Sequence, residues 1–344
     1  VLQEPGGPEN FAIQRVDIPT PGPKEILIKV EYCGTDSHDT AVRKGQASWN
    51  FHAGMILGHE IGGTVVDVGK EVTTASPGDR VCTMPKLLCH TCEYCHTGNE
   101  ALCAGKGTVE GTGGNVVDGG LAEYVTSPES SVFLVPEGVG LADAAVAACS
   151  IATPYHAIVH AGEVKPEDTV LVTGAGGGLG VHCVQLVRFF GARVIAWTRS
   201  EAKRATLEKI GADEVICGTD ETMPVWQQIL DLTGGKGVDV VIDNVGSSAF
   251  SSAFRGLARH GRYVMLGELA GKKIQLNPAY VFLKRAKIIG VSSHNRSEVV
   301  TVLELIRDGK IKPIIGGMYP LEEISKVHTL IEEGAITGRA VLVP

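Results

Sequence analysis

Apolar positions fall into two regimes along the chain. Up to about residue 148 they come in short runs, at 25–32, 61–68, 80–84 and 121–126, each bounded by Gly, Pro or Asp. This predicts strands joined by turns and long loops. From residue 169 the pattern changes. Apolar runs at 169–173, 193–198, 214–217, 238–243, 262–266 and 287–291 now alternate with helix-like stretches such as 179–190 and 201–210. Six runs separated by helices predict an α/β fold with a doubly wound parallel sheet. The tail from residue 297 reads as a helix over 298–308, a turn and further short elements. The expected division is a mostly-β domain over 1–149, completed by 292–344, and a nucleotide-binding type of domain over 150–291. No internal repeat or low-complexity linker interrupts either.

Composition narrows the function. With 31 basic and 39 acidic residues, the net charge of −8 argues against a nucleic-acid or anionic-membrane partner, which would select a basic face. No apolar run approaches the ~18 residues of a membrane span. Residues 1–10 have neither a basic stretch nor an apolar one, so no secretory leader is expected there and the expected location is cytoplasmic. Glycine, at 44 of 344 residues, is nearly double the usual ~7% and implies many tight turns and close backbone approaches.

The nine cysteines are unevenly placed. Cys89, Cys92, Cys95 and Cys103 form C-x2-C-x2-C-x7-C, a spacing that suits a closed, tetrahedral structural zinc site. Thiolates bind an iron–sulfur cluster equally well, and free cysteines in a loop are the plain alternative. His90 and His96 lie inside the loop and are read as solvent-facing bystanders. Two other motifs carry ligand-type residues. Cys33-Gly34-Thr35-Asp36-Ser37-His38 follows one strand and Gly58-His59-Glu60 opens another, while Cys149 lies just before the second domain.

Together with Pro77-Gly78-Asp79-Arg80-Val81, Thr153 and the glycine turn after Val172, these residues resemble the zinc-containing medium-chain alcohol dehydrogenase family over nearly the whole chain. The resemblance implies a GroES-like first domain, a Rossmann second domain and an active site in the cleft between them. It implies a catalytic zinc on Cys33, His59 and Cys149, with Glu60 as a transient or alternative fourth ligand. Three protein ligands leave the open position that a catalytic zinc requires. Asp36 is expected to orient His59. Thr35 is expected to take the substrate hydroxyl proton and pass it through the cofactor ribose to His38. A homodimer or homotetramer is implied by the resemblance alone.

The dinucleotide turn is Gly174-Ala175-Gly176-Gly177-Gly178-Leu179-Gly180, between an apolar strand and a helix. That geometry sets backbone N–H groups against a pyrophosphate. A strict G-x-G-x-x-G does not fit, since its last position falls on Leu179. An NAD site usually has an acid at the end of the second strand. Here that position is Thr198, followed by Arg199 and Ser200, with Lys203 beyond. These groups could donate to a 2′-phosphate, so NADP(H) is favoured over NAD(H); Ser200 reads equally as a simple helix cap. Asn244 and Val245, and Leu266 and Gly267, end later strands and should border the nicotinamide.

The expected reaction is zinc-dependent hydride transfer between NADP(H) and an alcohol or its aldehyde or ketone. Two rival readings stay open: a zinc-bearing enoyl-type reductase of an activated C=C bond, such as a conjugated acyl thioester, and a non-catalytic protein of dehydrogenase fold. Loop 42–55, with Trp49, Phe51 and His52, and the glycine-rich stretch 105–120 are candidate pocket walls.

Overall fold

A computed structural model describes residues 1–46, 52–103, 107–109, 116–220, 224–268 and 270–344. Two compact units emerge: Val1–Ala152 with Ser293–Pro344, and Thr153–Ser292.

In the first unit the strand Glu25–Thr35 is central to a seven-stranded sheet. It pairs antiparallel with Glu60–Val68, with Tyr124–Pro128 and with the closing strand Arg339–Val343. Its burial is nearly continuous rather than alternating, as expected of a strand covered on both faces. Ile26, Ile28, Val30, Val65, Val81 and Leu342 form the surrounding core. The register sets Cys33 opposite Ile61 and Leu342, and Gly34 opposite Glu60 and Val341. The end of the central strand is therefore bracketed by the first residues of two others. The central strand runs on to Thr35, so Cys33, Gly34 and Thr35 form its last pleat, and Asp36, Ser37 and His38 open the helix that follows. Gly34 is required by close approach: a Cβ there would lie 2.1 Å from Glu60 Oε2.

The helix Ser37–Arg43 starts immediately afterwards. Asp36 caps it by accepting from the N–H groups of His38 and Asp39, and the Asp39 side chain accepts from the N–H of Asp36, a complete capping box. Cys149 lies on a π-helical turn, Ala147–Ala152, a form often found at functional positions.

The second unit is the expected six-stranded parallel sheet. Its order is Glu214–Cys217, Arg193–Thr198, Thr169–Thr173, Val238–Asp243, Leu257–Met265 and Lys287–Gly290. The order reverses between Thr169–Thr173 and Val238–Asp243, the switch point where such sheets bind ligands. Leu171, Ile195, Val241 and Tyr263 belong to its core.

Candidate functional site

The paired strand ends of the first unit gather its polar side chains. Ligand-type atoms of Asp36, His59 and Cys149 all lie within 4.8 Å of one another. Cys33 is buried in the same region, its Sγ 3.6 Å from the carbonyl of Gly34. Small residues make room for that sulfur: a Cβ at Gly58 would fall 2.6 Å from it. His59 is buried, and its Nδ1 lies 3.2 Å from Asp39 Oδ1 while Nε2 is 4.0 Å from Asp36 Oδ2.

Asp39, not Asp36, holds Nδ1 of His59, because the capping box turns the Asp39 carboxylate back over the strand end. Asp36 faces Nε2 of the same ring and also pairs with a residue that the sequence did not single out, Arg339, at 2.8 Å. The capping spacing Asp36-x-x-Asp39 was the signal that could have drawn attention to Asp39.

Arg339, the first residue of the closing strand, is buried among two carboxylates, a hydroxyl and a thiol. Its guanidinium donates to Glu60 Oε1 at 2.8 Å and to Ser150 Oγ, and lies 4.0 Å from Cys149 Sγ. Ser150 in turn donates to Glu60 Oε1 at 2.9 Å. Burial opposes the guanidinium charge, but Glu60 and Asp36 together keep it firmly protonated. Burial pushes the Glu60 carboxyl up, with Arg339 and His59 opposing. Burial also acts to raise Asp36, yet Arg339 and His59 outweigh it and hold that carboxyl below its ordinary range. The Cys149 thiol is pushed up by burial, against a hydrogen bond with His59. Glu60 Oε2 is buried without a hydrogen-bond partner. The convergent donor set is therefore an imidazole, a thiol and a carboxylate, from His59, Cys149 and Asp36, a chemistry suited to a divalent ion such as zinc; Cys33 and Glu60 stand at the same strand end but are not among the ligand atoms gathered within 4.8 Å.

The Thr35 hydroxyl donates to Asp39 Oδ2 at 2.9 Å and lies 3.3 Å from Nε2 of His328, which the sequence also did not single out. His38 packs edge-on against the His59 ring at 5.1 Å. Burial, and then His59, lower the His38 pKa.

The four sulfurs of the cysteine loop converge as the spacing predicts. Ligand atoms of Cys89, Cys92, Cys95 and Cys103 all lie within 4.8 Å of one another, with Cys103–Cys89 at 3.5 Å and Cys89–Cys95 at 3.9 Å. Thiols so close cannot ionise independently. Cys89, accepting the N–H of Thr91, is lowered to about 5, while Cys95, desolvated and beside Cys103, is pushed up to about 12. A tetrahedral cation would take all four as thiolates. His90 and His96 are exposed, as expected.

In the second unit, the helix Gly180–Phe189 begins directly beyond the glycine turn. Gly174 has φ +57°, and a Cβ at Gly180 would meet the Gly174 carbonyl oxygen at 2.2 Å, so the turn closes tightly. This open backbone at the switch point suits a pyrophosphate. Lys203 reaches back to donate to the Gly176 carbonyl at 3.2 Å, and its ammonium is disfavoured first by burial and then by Arg199. Thr198 is buried and its hydroxyl accepts the N–H of Ser200 at 3.3 Å; Arg199 is exposed. Ser200 occupies the cap position without a side-chain capping bond. Asn244 donates to the Thr173 carbonyl at 3.0 Å, and a Cβ at Gly267 would lie 2.7 Å from the Asn244 carbonyl, so the two later turns pack together. Gly177, Gly178, Leu179, Val245 and Leu266 line these same strand-end turns.

Of the candidate pocket walls, Trp49, Phe51 and residues 105–106 and 110–115 lie outside the described residues; His52 is exposed. Among the described residues no helix is long and apolar enough to cross a membrane.

A metal-type donor set in one unit and a dinucleotide-type turn in the other define an oxidoreductase of the zinc-binding dehydrogenase class. Residues 22–137 match the alcohol dehydrogenase GroES-like domain and residues 178–308 the zinc-binding dehydrogenase domain. The chain is 33% identical over 342 residues to an acryloyl-coenzyme A reductase of Sulfurisphaera tokodaii, covering 99% of this chain and 98% of that one. It is 32% identical over 341 residues to an NAD-dependent alcohol dehydrogenase of Sulfolobus acidocaldarius, covering 97% and 96%. A crystal structure of an NAD-dependent alcohol dehydrogenase superposes with a TM-score of 0.91 at 33% identity, over 100% of this chain and 98% of its own. The chain belongs to the medium-chain dehydrogenase/reductase superfamily, in its alcohol dehydrogenase family.

Proposed function

We propose that this protein is a zinc-dependent oxidoreductase that transfers a hydride between NADP(H) and a small alcohol or its aldehyde or ketone. The convergence of His59, Cys149 and Asp36 within 4.8 Å, with Cys33 and the Thr35 hydroxyl at the same strand end, supports this most strongly. Cys33, His59 and Cys149 would hold the catalytic zinc, with Glu60 as the exchangeable fourth ligand; Cys89, Cys92, Cys95 and Cys103 would hold a structural one. When bound, the zinc ion supplies Lewis acidity at the substrate oxygen and the dinucleotide supplies or accepts the hydride.

The chain's own residues do the rest. Asp39 fixes the His59 ring by holding Nδ1, which leaves Nε2 as the nitrogen facing Asp36. Thr35 offers a hydroxyl beside the substrate oxygen. Arg339 compensates Glu60 and Asp36, so the site does not accumulate uncompensated carboxylate charge. The turn 174–180 would receive the pyrophosphate on its N–H groups, and Arg199, Ser200 and Lys203 would favour a 2′-phosphate where no acid stands to repel it.

The similarity to an acryloyl-coenzyme A reductase supports a second reading, reduction of a conjugated acyl thioester. One assay separates the two. The purified enzyme is given NADPH or NADH with benzaldehyde, cyclohexanone, acetaldehyde or acryloyl-coenzyme A, and products are identified by mass spectrometry. The first reading expects an alcohol product and a higher kcat/KM for NADPH than for NADH. A saturated thioester as the sole product supports the second reading. A clear preference for NADH contradicts the roles given to Thr198 and Arg199.

A further inference from the structure

Behind Thr35 lies a chain of buried hydrogen bonds whose direction is fixed by chemistry. Arg43 is fully buried on the helix Ser37–Arg43, anchored through the Gly6 carbonyl and Glu332. Its Nε lies 3.3 Å from Nδ1 of His328, on the helix Ile324–Glu332. A guanidinium N–H can only donate, so Nδ1 must accept. A neutral imidazole with Nδ1 as acceptor carries its hydrogen on Nε2. That Nε2–H therefore donates to Thr35 Oγ1 at 3.3 Å, and the Thr35 O–H donates to Asp39 Oδ2 at 2.9 Å. The edge of Phe11 packs against the His328 ring at 4.8 Å. His328 is wholly buried, and desolvation lowers its pKa to about 4, in keeping with a neutral ring.

We propose that His328 is a positioning residue for the reaction: it locks the Thr35 hydroxyl with its hydrogen on Asp39 and one lone pair on His328, leaving the other lone pair to accept from the substrate hydroxyl. This rests on the alcohol–carbonyl reading above. In that reading Thr35 needs one orientation out of three, and a rotating hydroxyl would spend most of its time misdirected. The Arg43–His328 pair removes that freedom from a distance, without touching substrate.

Two substitutions of one residue separate this role from packing. In His328→Gln the amide nitrogen takes the place of Nε2, keeping the donor to Thr35 while giving up the acceptor for Arg43. In His328→Asn the amide takes the place of Nδ1, retaining a partner for Arg43 while losing reach to Thr35. Both are assayed with the metal-loaded enzyme in the oxidation of benzyl alcohol, whose hydroxyl is the donor that Thr35 would accept from, beside Thr35→Val. His328→Asn is expected to lower kcat about five- to tenfold with KM within about twofold, because the lost bond acts on the reacting geometry. His328→Gln is expected to stay within about threefold of the parent. A second readout is independent of turnover: the ¹⁵N imidazole spectrum of the parent near neutral pH should show His328 neutral with hydrogen on Nε2.

A His328→Asn enzyme with parental kcat, a His328→Gln enzyme slower than His328→Asn, or a His328 ring protonated on Nδ1 overturns the proposal. If the parent reduces no carbonyl, or Thr35→Val leaves kcat unchanged, the alcohol–carbonyl reading fails and this proposal fails with it. If Thr35→Val abolishes turnover while His328→Asn does not reduce it, only the positioning role falls.

Discussion

Arg339 is 3% exposed and donates to Glu60 while pairing with Asp36. Removing one partner of a buried ion network leaves the others desolvated and uncompensated. Arg339→Met should therefore lower the unfolding free energy by about 3–5 kcal/mol, as measured by urea denaturation near neutral pH; a loss below about 1 kcal/mol would place the charge compensation elsewhere. His328 gives a prediction with a defined sign. An unfolded histidine takes up its proton near pH 6.5, whereas the folded ring does so only near about 4. Between those values the unfolded chain binds more protons, so this contribution is complete above pH 6.5 and is lost as pH falls toward 4. His328→Gln has no such group. Relative to it, the parent should lose about 2–3 kcal/mol across that window, and parallel stability–pH curves for the two proteins would contradict the buried neutral ring. Neither residue was legible beforehand. His328 meets Thr35 across 293 residues and Arg339 meets Glu60 across 279. A local pattern sees only one His in an amphipathic helix and one Arg at the start of a strand. Cys33, His59 and Cys149 stand out in the sequence by type and motif rather than by partner; of these, the structure brings ligand atoms of His59 and Cys149 together, beside Asp36.

Among the elements, the six parallel strands were legible because buried parallel strands read as unbroken apolar runs between helices. The π-helical turn Ala147–Ala152 was not, since Ala-rich sequence does not by itself distinguish one helical winding from another. The cysteine loop was legible because its ligands are close in sequence, so little closure entropy separates spacing from geometry. Between Cys89 and Cys103 it has only a four-residue helix and a three-residue 3₁₀ turn. On the proposed function, a metal held by the four cysteines would be its main organiser. Cys92→Ala should remove one zinc per chain and lower Tm by at least about 5 °C, with kcat per folded molecule kept within about twofold. Calorimetry and metal analysis of the same preparation check this; an unchanged Tm with a zinc lost would mean that the loop holds itself.

At the scale of the whole molecule, each unit has its own apolar core, and the C-terminal stretch Ser293–Pro344 belongs with the first rather than with the unit it follows. That return brings Arg339 and His328 to the strand end where Cys33, Thr35 and His59 stand. The sequence suggested the return, but it could not supply the register, which depends on strand Arg339–Val343 pairing with both Glu25–Thr35 and Ile315–Pro320. On the proposed function, the protein holds two metal ions by two independent donor sets, one open and one closed. Zinc per chain, measured by plasma mass spectrometry on folded, dialysed protein, tests it directly. The parent should carry two ions, and Cys149→Ser and Cys92→Ala one each, Cys149→Ser alone losing turnover. A parent with a single ion, or a Cys149→Ser protein that keeps both, would contradict the account.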